Sequence, residues 1–99
     1  MRLLIVDDHP LFRVGLKAML ERQGFKVVGE ASNGREAVEK ALTLTIDAVL
    51  LDIKMPDMDG IEAARELRRR GFEGSIVMLT TFTEPALQVE AARAGANAF

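Results

Sequence analysis

Four apolar runs punctuate the chain, and each gives way to polar residues and then to a stretch of helical spacing. Leu3 to Val6 ends on Asp7-Asp8, Lys26 to Ala31 is interrupted by Gly29, Ala48 to Leu51 stops on Asp52, and Ser75 to Leu79 ends on Thr80-Thr81. The third run is continuously apolar, as a parallel strand covered on both faces requires. Between the first two, Pro10 suits a first helical position, and Phe12, Leu16, Met19 and Leu20 recur at helical spacing up to Gly24. They predict a helix from Pro10 to Gln23 whose apolar stripe faces a core. Asn33 with Glu36 three residues later has the form of a capping box and opens a second helix, with Ala37, Val38, Ala41 and Leu42 as its apolar face. Thr43, Thr45 and Ile46 are poor helix formers that lead into Asp47 and the third strand. Asp59 caps a third helix with Glu62 as its reciprocal partner, Ile61, Ala64 and Leu67 facing inward, and Gly71 as the stop. Thr83-Glu84-Pro85 opens a fourth helix that runs to Ala94, before Gly95. Its apolar face is thin, which predicts low local stability. Asn97-Ala98-Phe99 reads as the first part of a fifth strand.

This alternation of strand and helix with short connections predicts an α/β fold, a doubly wound parallel sheet. Right-handed crossovers leave few topologies, and the flavodoxin-like order 2-1-3-4-5 fits, with strand five incomplete. That order sets strands one and three side by side and brings Asp7, Asp8 and Asp52 to the carboxyl edge of the sheet, where ligands bind in open parallel sheets. Thr80 arrives at the same edge from strand four.

Composition narrows the possibilities. With 99 residues, 48% hydrophobic and 28% charged, the chain has material for one core and one domain, residues 1–99. A formal charge of -2 offers no basic field for a phosphate backbone, so this segment is not expected to grip nucleic acid. The run Arg68-Arg69-Arg70 falls at a helix end, where cations suit the negative pole of the macrodipole. The chain has no cysteine, tryptophan or tyrosine, which excludes disulfides, thiolate metal sites and aromatic platforms for bases. Any metal must be held by oxygen. The first apolar run is too short for a signal peptide and none is long enough to span a bilayer, so the cytoplasm is the expected compartment.

Carboxylates that close repel by about 4 kcal/mol per pair at an effective dielectric near 20, so the three aspartates call for a divalent cation, the alternative being that one acid protonates or that solvent screens them. Oxygen ligands and few carboxylates describe Mg2+. A strand-end carboxylate beside Mg2+ is an acceptor for a phosphoryl group, forming an acyl phosphate, and Asp52 is the expected nucleophile. The charge on the transferring group is spread over three oxygens, which the metal, the Thr80 hydroxyl and backbone N–H groups after Asp52 could each serve. Asp57 and Asp59 read as solvated or capping residues. His9, with no second nitrogen or sulfur ligand in view, reads either as standing behind the ligands and touching them or as facing solvent, and is left out of the site.

Asp7-Asp8, Asp52 with Lys54-Met55-Pro56-Asp57-Met58-Asp59-Gly60, and Thr80 resemble the receiver domain of bacterial two-component response regulators, over essentially the whole chain. Val6-Asp7-Asp8-His9-Pro10 and Leu79-Thr80-Thr81-Phe82 further resemble the NarL/FixJ class, whose receivers precede a DNA-binding helix-turn-helix domain. The resemblance implies a phosphorelay protein that is not an enzyme in its own right. It implies phosphorylation of Asp52 by a cognate histidine kinase, Mg2+ on Asp7, Asp8, Asp52 and the Lys54 carbonyl, and a switch in which Thr80 and the aromatic Phe99 move together to alter the surface of helix four and strand five. The family's lysine three residues beyond that aromatic, and its fifth helix, have no counterpart before the chain ends at Phe99. On this reading the chain is a C-terminally truncated receiver without its output domain. It is expected to be a homodimer, a swapped oligomer or poorly stable, because apolar sheet surface is left bare. Three rivals differ in kind. An aspartate-nucleophile phosphatase would need a general acid where Lys54 stands, a flavin or nucleotide binder would need glycines where Asp7-Asp8 stand, and a pseudo-receiver would act by binding a partner without phosphorylation.

Overall fold

The computed structural model of the chain describes residues 1–79 and 85–97, without the side chains of 85–88. Along the described residues the order is β1 (Arg2–Val6), α1 (Pro10–Arg22), β2 (Lys26–Ala31), α2 (Gly34–Thr43), β3 (Ala48–Asp52), α3 (Gly60–Arg69), β4 (Ser75–Leu79) and α4 (Pro85–Ala94). The four strands are parallel in the order β2-β1-β3-β4. Helices lie on both faces, so the doubly wound, flavodoxin-like sheet expected from the alternation is the fold. Asn97 donates its N–H to the Ile76 carbonyl (2.7 Å) and accepts the Ile76 N–H on its side-chain oxygen (2.8 Å). The chain therefore leaves α4 along the free edge of β4, where a fifth strand belongs. Thr80 and Phe99, the two expected switch residues, lie outside the described residues.

Strand alternation sends Leu4, Val6, Val49, Leu51, Ile76 and Met78 to one face, where they meet Ala37, Val38 and Ala41 of α2, Ile61, Ala64 and Leu67 of α3, and Ala91 and Ala94 of α4. That side is the core. The bulge in β2 falls at Val28, beside Gly29: Leu3 pairs with Val27 but Leu4 with Gly29, and Val28 is passed over. The Asp59–Glu62 capping box is complete in both directions. At Asn33 only half of the expected box forms, because its side chain accepts the Glu36 N–H while Glu36 turns to Lys40 (3.2 Å).

Two expectations about apolar faces need correction. Leu42 is 41% exposed, since at 100° per residue it stands about a quarter turn off the buried Ala37–Val38–Ala41 stripe. In α1 no residue is buried, and Phe12 and Met19 are 50% and 49% exposed. Among the described residues the helix packs chiefly on β2 and β1, which leaves much of its stripe uncovered. On that face of the sheet Leu3 and Ile5 are buried, while Leu50, Val77 and Leu79 are only partly so. Among the described residues no helix is long and apolar enough to cross a membrane.

Candidate metal centre

The register of β1 on β3, Leu3 with Ala48 through Val6 with Leu51, carries Asp7 to the side of Asp52. Both strand ends are anchored by buried Val6 and Leu51, so the two carboxylates sit on rigid backbone. Asp7 is the one buried charged residue among those described, at 4% exposure. Its N–H donates to the Ala31 carbonyl (3.0 Å), and its own carbonyl accepts from Arg13 Nη1 (2.5 Å). Its Oδ1 accepts the His9 N–H (2.8 Å), closing an Asx turn.

The His9 ring is 70% exposed, as the sequence suggested, yet its Nδ1 lies 2.8 Å from Asp7 Oδ1 and 3.1 Å from Asp8 Oδ1. The hydrogen bond to Asp7 and then the charge of Asp8 raise its pKa. A place behind the acids is one of the two readings of His9, but the sequence does not specify which oxygen its ring meets. An Asp two residues before a histidine on an Asx turn is the local signal that could have found it.

Asp52 ends β3 and accepts the Lys54 N–H on Oδ1 (3.3 Å). Burial, and next the charge of Asp7, push its carboxyl up to about 6, against the opposing pull of the Lys54 N–H. One ligand atom each from Asp7, Asp8, His9 and Asp52 lies within 4.8 Å of all the others. Asp8 Oδ1 is buried and has no hydrogen-bond partner among the described residues. The Nδ1 of His9 does not serve it, because Asp7 Oδ1, at 2.8 Å, is the oxygen that ring nitrogen is bonded to.

A buried, orphaned carboxylate oxygen beside two further carboxylates fits a hard divalent cation, and the all-oxygen set of aspartates fits Mg2+. Asp57 and Asp59 stay apart from this set. Asp59 caps α3, and Asp57 pairs with Arg35 at 3.2 Å. Beside the carboxylates an open cleft, lined by Asp8, Ile53, Met55, Pro56, Glu62 and Arg65 among others, leads to solvent.

Comparison with known proteins agrees with this arrangement. Residues 3–99 match the response regulator receiver domain family. The chemotaxis protein CheY of Thermotoga maritima is 43% identical over 98 residues, 99% of this chain and 82% of that protein. The response regulator UvrY of Escherichia coli is 44% identical over 97 residues, and there the chain spans only 44% of the relative's length. Among solved structures, the signal receiver domain of the putative response regulator NarL from Mycobacterium tuberculosis superposes with a TM-score of 0.95 at 37% identity, covering 99% of this chain and 80% of that one. The receiver domain of the sensor histidine kinase PA1611 from Pseudomonas aeruginosa, with a magnesium ion coordinated in its active site cleft, gives 0.87 at 30% identity over 98% of this chain and 80% of that one. With its parallel sheet, its strand-end aspartates and a match over nearly its full length, the chain belongs to the response regulator receiver domain family.

Proposed function

We propose that Asp52 is the phosphoacceptor of this receiver, and that Asp7, Asp8, Asp52 and the Lys54 carbonyl hold Mg2+ next to it. One observation carries the reading: Asp8 Oδ1 is buried without a hydrogen bond among the described residues, in a cluster of acids whose mutual repulsion a cation would relieve. The magnesium in the cleft of the PA1611 receiver supports the choice of metal. When bound, Mg2+ supplies charge neutralisation and Lewis-acid polarisation of phosphoryl oxygens.

The remaining work falls to the chain's own residues. The Lys54 N–H engages one oxygen of Asp52 and leaves the other to attack. That oxygen bonds to phosphorus while the bond from phosphorus to the donor nitrogen breaks. The departing imidazole of a phosphohistidine keeps the electron pair and takes up a proton. The Thr80 hydroxyl donates to a phosphoryl oxygen, and Thr80 with Phe99 carries the change to the surface of helix four and strand five. For these two residues the support is the resemblance of the sequence alone.

The donor is a cognate histidine kinase, and the switched surface controls a helix-turn-helix output domain, as the resemblance of the sequence to the NarL/FixJ class implies; the likeness to a DNA-binding response regulator of the LuxR family from Staphylococcus aureus supports a DNA-binding output. The chain works in the cytoplasm and, with a net charge of -2, makes no direct contact with nucleic acid. The test is incubation with Mg2+ and acetyl phosphate followed by intact mass measurement. One added phosphoryl group is expected on the native chain and none on Asp52→Asn. Equal labelling of both would overturn the assignment.

A further inference from the structure

The segment between β3 and α3, which carries Lys54, is held at two points by glycines. At its base the Gly60 N–H donates to the Ile53 carbonyl (2.8 Å), and a Cβ on Gly60 would meet the Asp52 carbonyl oxygen at 2.1 Å. At its tip the N–H of Gly34, the first residue of α2, donates to the Met58 carbonyl (3.0 Å). A Cβ on Gly34 would stand 2.3 Å from that oxygen and 2.9 Å from Met58 Cγ. Gly34 is buried and helical, and positive φ angles occur at Gly24, Gly71 and Gly95 but not here. Nothing in its own backbone requires glycine; only the approach of the loop does. Next to Met58, Asp57 takes a φ of +70° and meets Arg35 Nε at 3.2 Å. The loop tip is thus folded sharply onto the first turn of α2.

We infer that Gly34 is a positioning residue for the metal site: its bare α-carbon lets α2 abut Met58, and this contact sets where the Lys54 carbonyl stands relative to Asp52. The inference rests on the roles proposed above for Asp52 and Lys54. Ile53 and Gly60 close the loop at its base, so a displacement at Met58 is absorbed by residues 54–57. A methyl group on Gly34 must move the Met58 oxygen from 2.3 Å towards the 3.4 Å of ordinary contact. Because that oxygen belongs to backbone, no side-chain rotation relieves the clash. Mg2+ demands near-ideal octahedral geometry, so it feels a ligand displaced on that scale.

The test is a calorimetric titration of Mg2+ into the 99-residue chain at a temperature where circular dichroism shows each variant folded. Gly34→Ala is expected to weaken Mg2+ binding about tenfold, the low end for residues that orient metal ligands. Gly15→Ala, whose Cβ would meet nothing within 4 Å, is expected to leave it unchanged. Asn33→Ala removes the oxygen that caps α2 through the Glu36 N–H (2.8 Å) and loosens the same turn. It is expected to weaken binding about threefold, and Asn33→Ser, which keeps a capping oxygen, to restore it. A residue needed only for stability would lower the melting temperature and leave the affinity alone. Folded Gly34→Ala with native affinity overturns the inference. If that variant does not fold, Asn33→Ala decides, native affinity overturning the inference and weakened affinity supporting it. A native chain that takes up no Mg2+ overturns the metal site itself, and the inference with it.

Discussion

Asp52 sits where burial and the neighbouring Asp7 carboxylate both disfavour its charge, which lifts its pKa from an ordinary 3.8 to about 6. The folded state therefore holds this proton more tightly than the unfolded chain does. The stability this contributes is present below about pH 4 and is lost as the pH rises through 6. In a fully enclosed site such a lift would be worth roughly 3 kcal/mol, but the side chain is partly open to solvent and screening reduces that. Without Mg2+, Asp52→Asn should be more stable than the native chain by about 1 kcal/mol at pH 7 and indistinguishable from it at pH 4, as read by urea denaturation at the two pH values. A less stable variant at pH 7 would show that Asp52 is not destabilised by its surroundings. At this scale the sequence was informative about Asp7, Asp8 and Asp52, because an apolar strand that stops on an acid has one place to put it. It was less informative about His9, whose contact with Asp7 depends on a turn.

At the scale of elements, α3 and α4 share the core and are also clasped by one side chain. Arg68 reads in the sequence as a cation at a helix end, but its guanidinium donates to the carbonyls of Gly95 (3.0 Å), Phe72 (2.8 Å) and Gly74 (2.8 Å) and to Asn97 Oδ1 (2.8 Å). Its charge also stacks over the Phe72 ring, 5.9 Å from the centroid. The end of α4 and the start of the β4-edge segment are thereby pinned to α3, while Val89 in the middle of α4 is 50% exposed. Arg68→Ala leaves four acceptors without this donor and should cost about 2–3 kcal/mol in chemical denaturation. Arg68→Lys should recover only a fraction, because an ammonium group lacks the planar fork that reaches several acceptors at once. Full recovery by lysine would mean that charge alone suffices. No spacing rule announces such a clasp, since its partners lie up to 29 residues apart.

Across the whole molecule the two faces of the sheet are unequal. One is sealed by α2, α3 and α4, and the other carries α1 with Leu11, Phe12, Val14 and Met19 at 88%, 50%, 64% and 49% exposure. Apolar surface of this kind favours association, so the 99-residue chain should sediment as a dimer or larger species at micromolar concentration, and Phe12→Glu with Met19→Lys should shift it towards monomer. A monomer before substitution would show that this face is tolerated in water. The order of elements, their parallel pairing and the meeting of three aspartates at one edge were all determined by the sequence itself. They follow from local physics: apolar runs of strand length, capping residues at helix starts, and the right-handed crossover that leaves few ways to arrange the strands. Helical spacing in α1 promised a buried stripe, however, and burial depends on what lies opposite, which periodicity within one helix cannot encode. The same holds for the orphaned oxygen of Asp8, the clasp of Arg68 and the bare α-carbon of Gly34. Each is a relation between segments distant along the chain, decided only when tertiary packing brings them into contact.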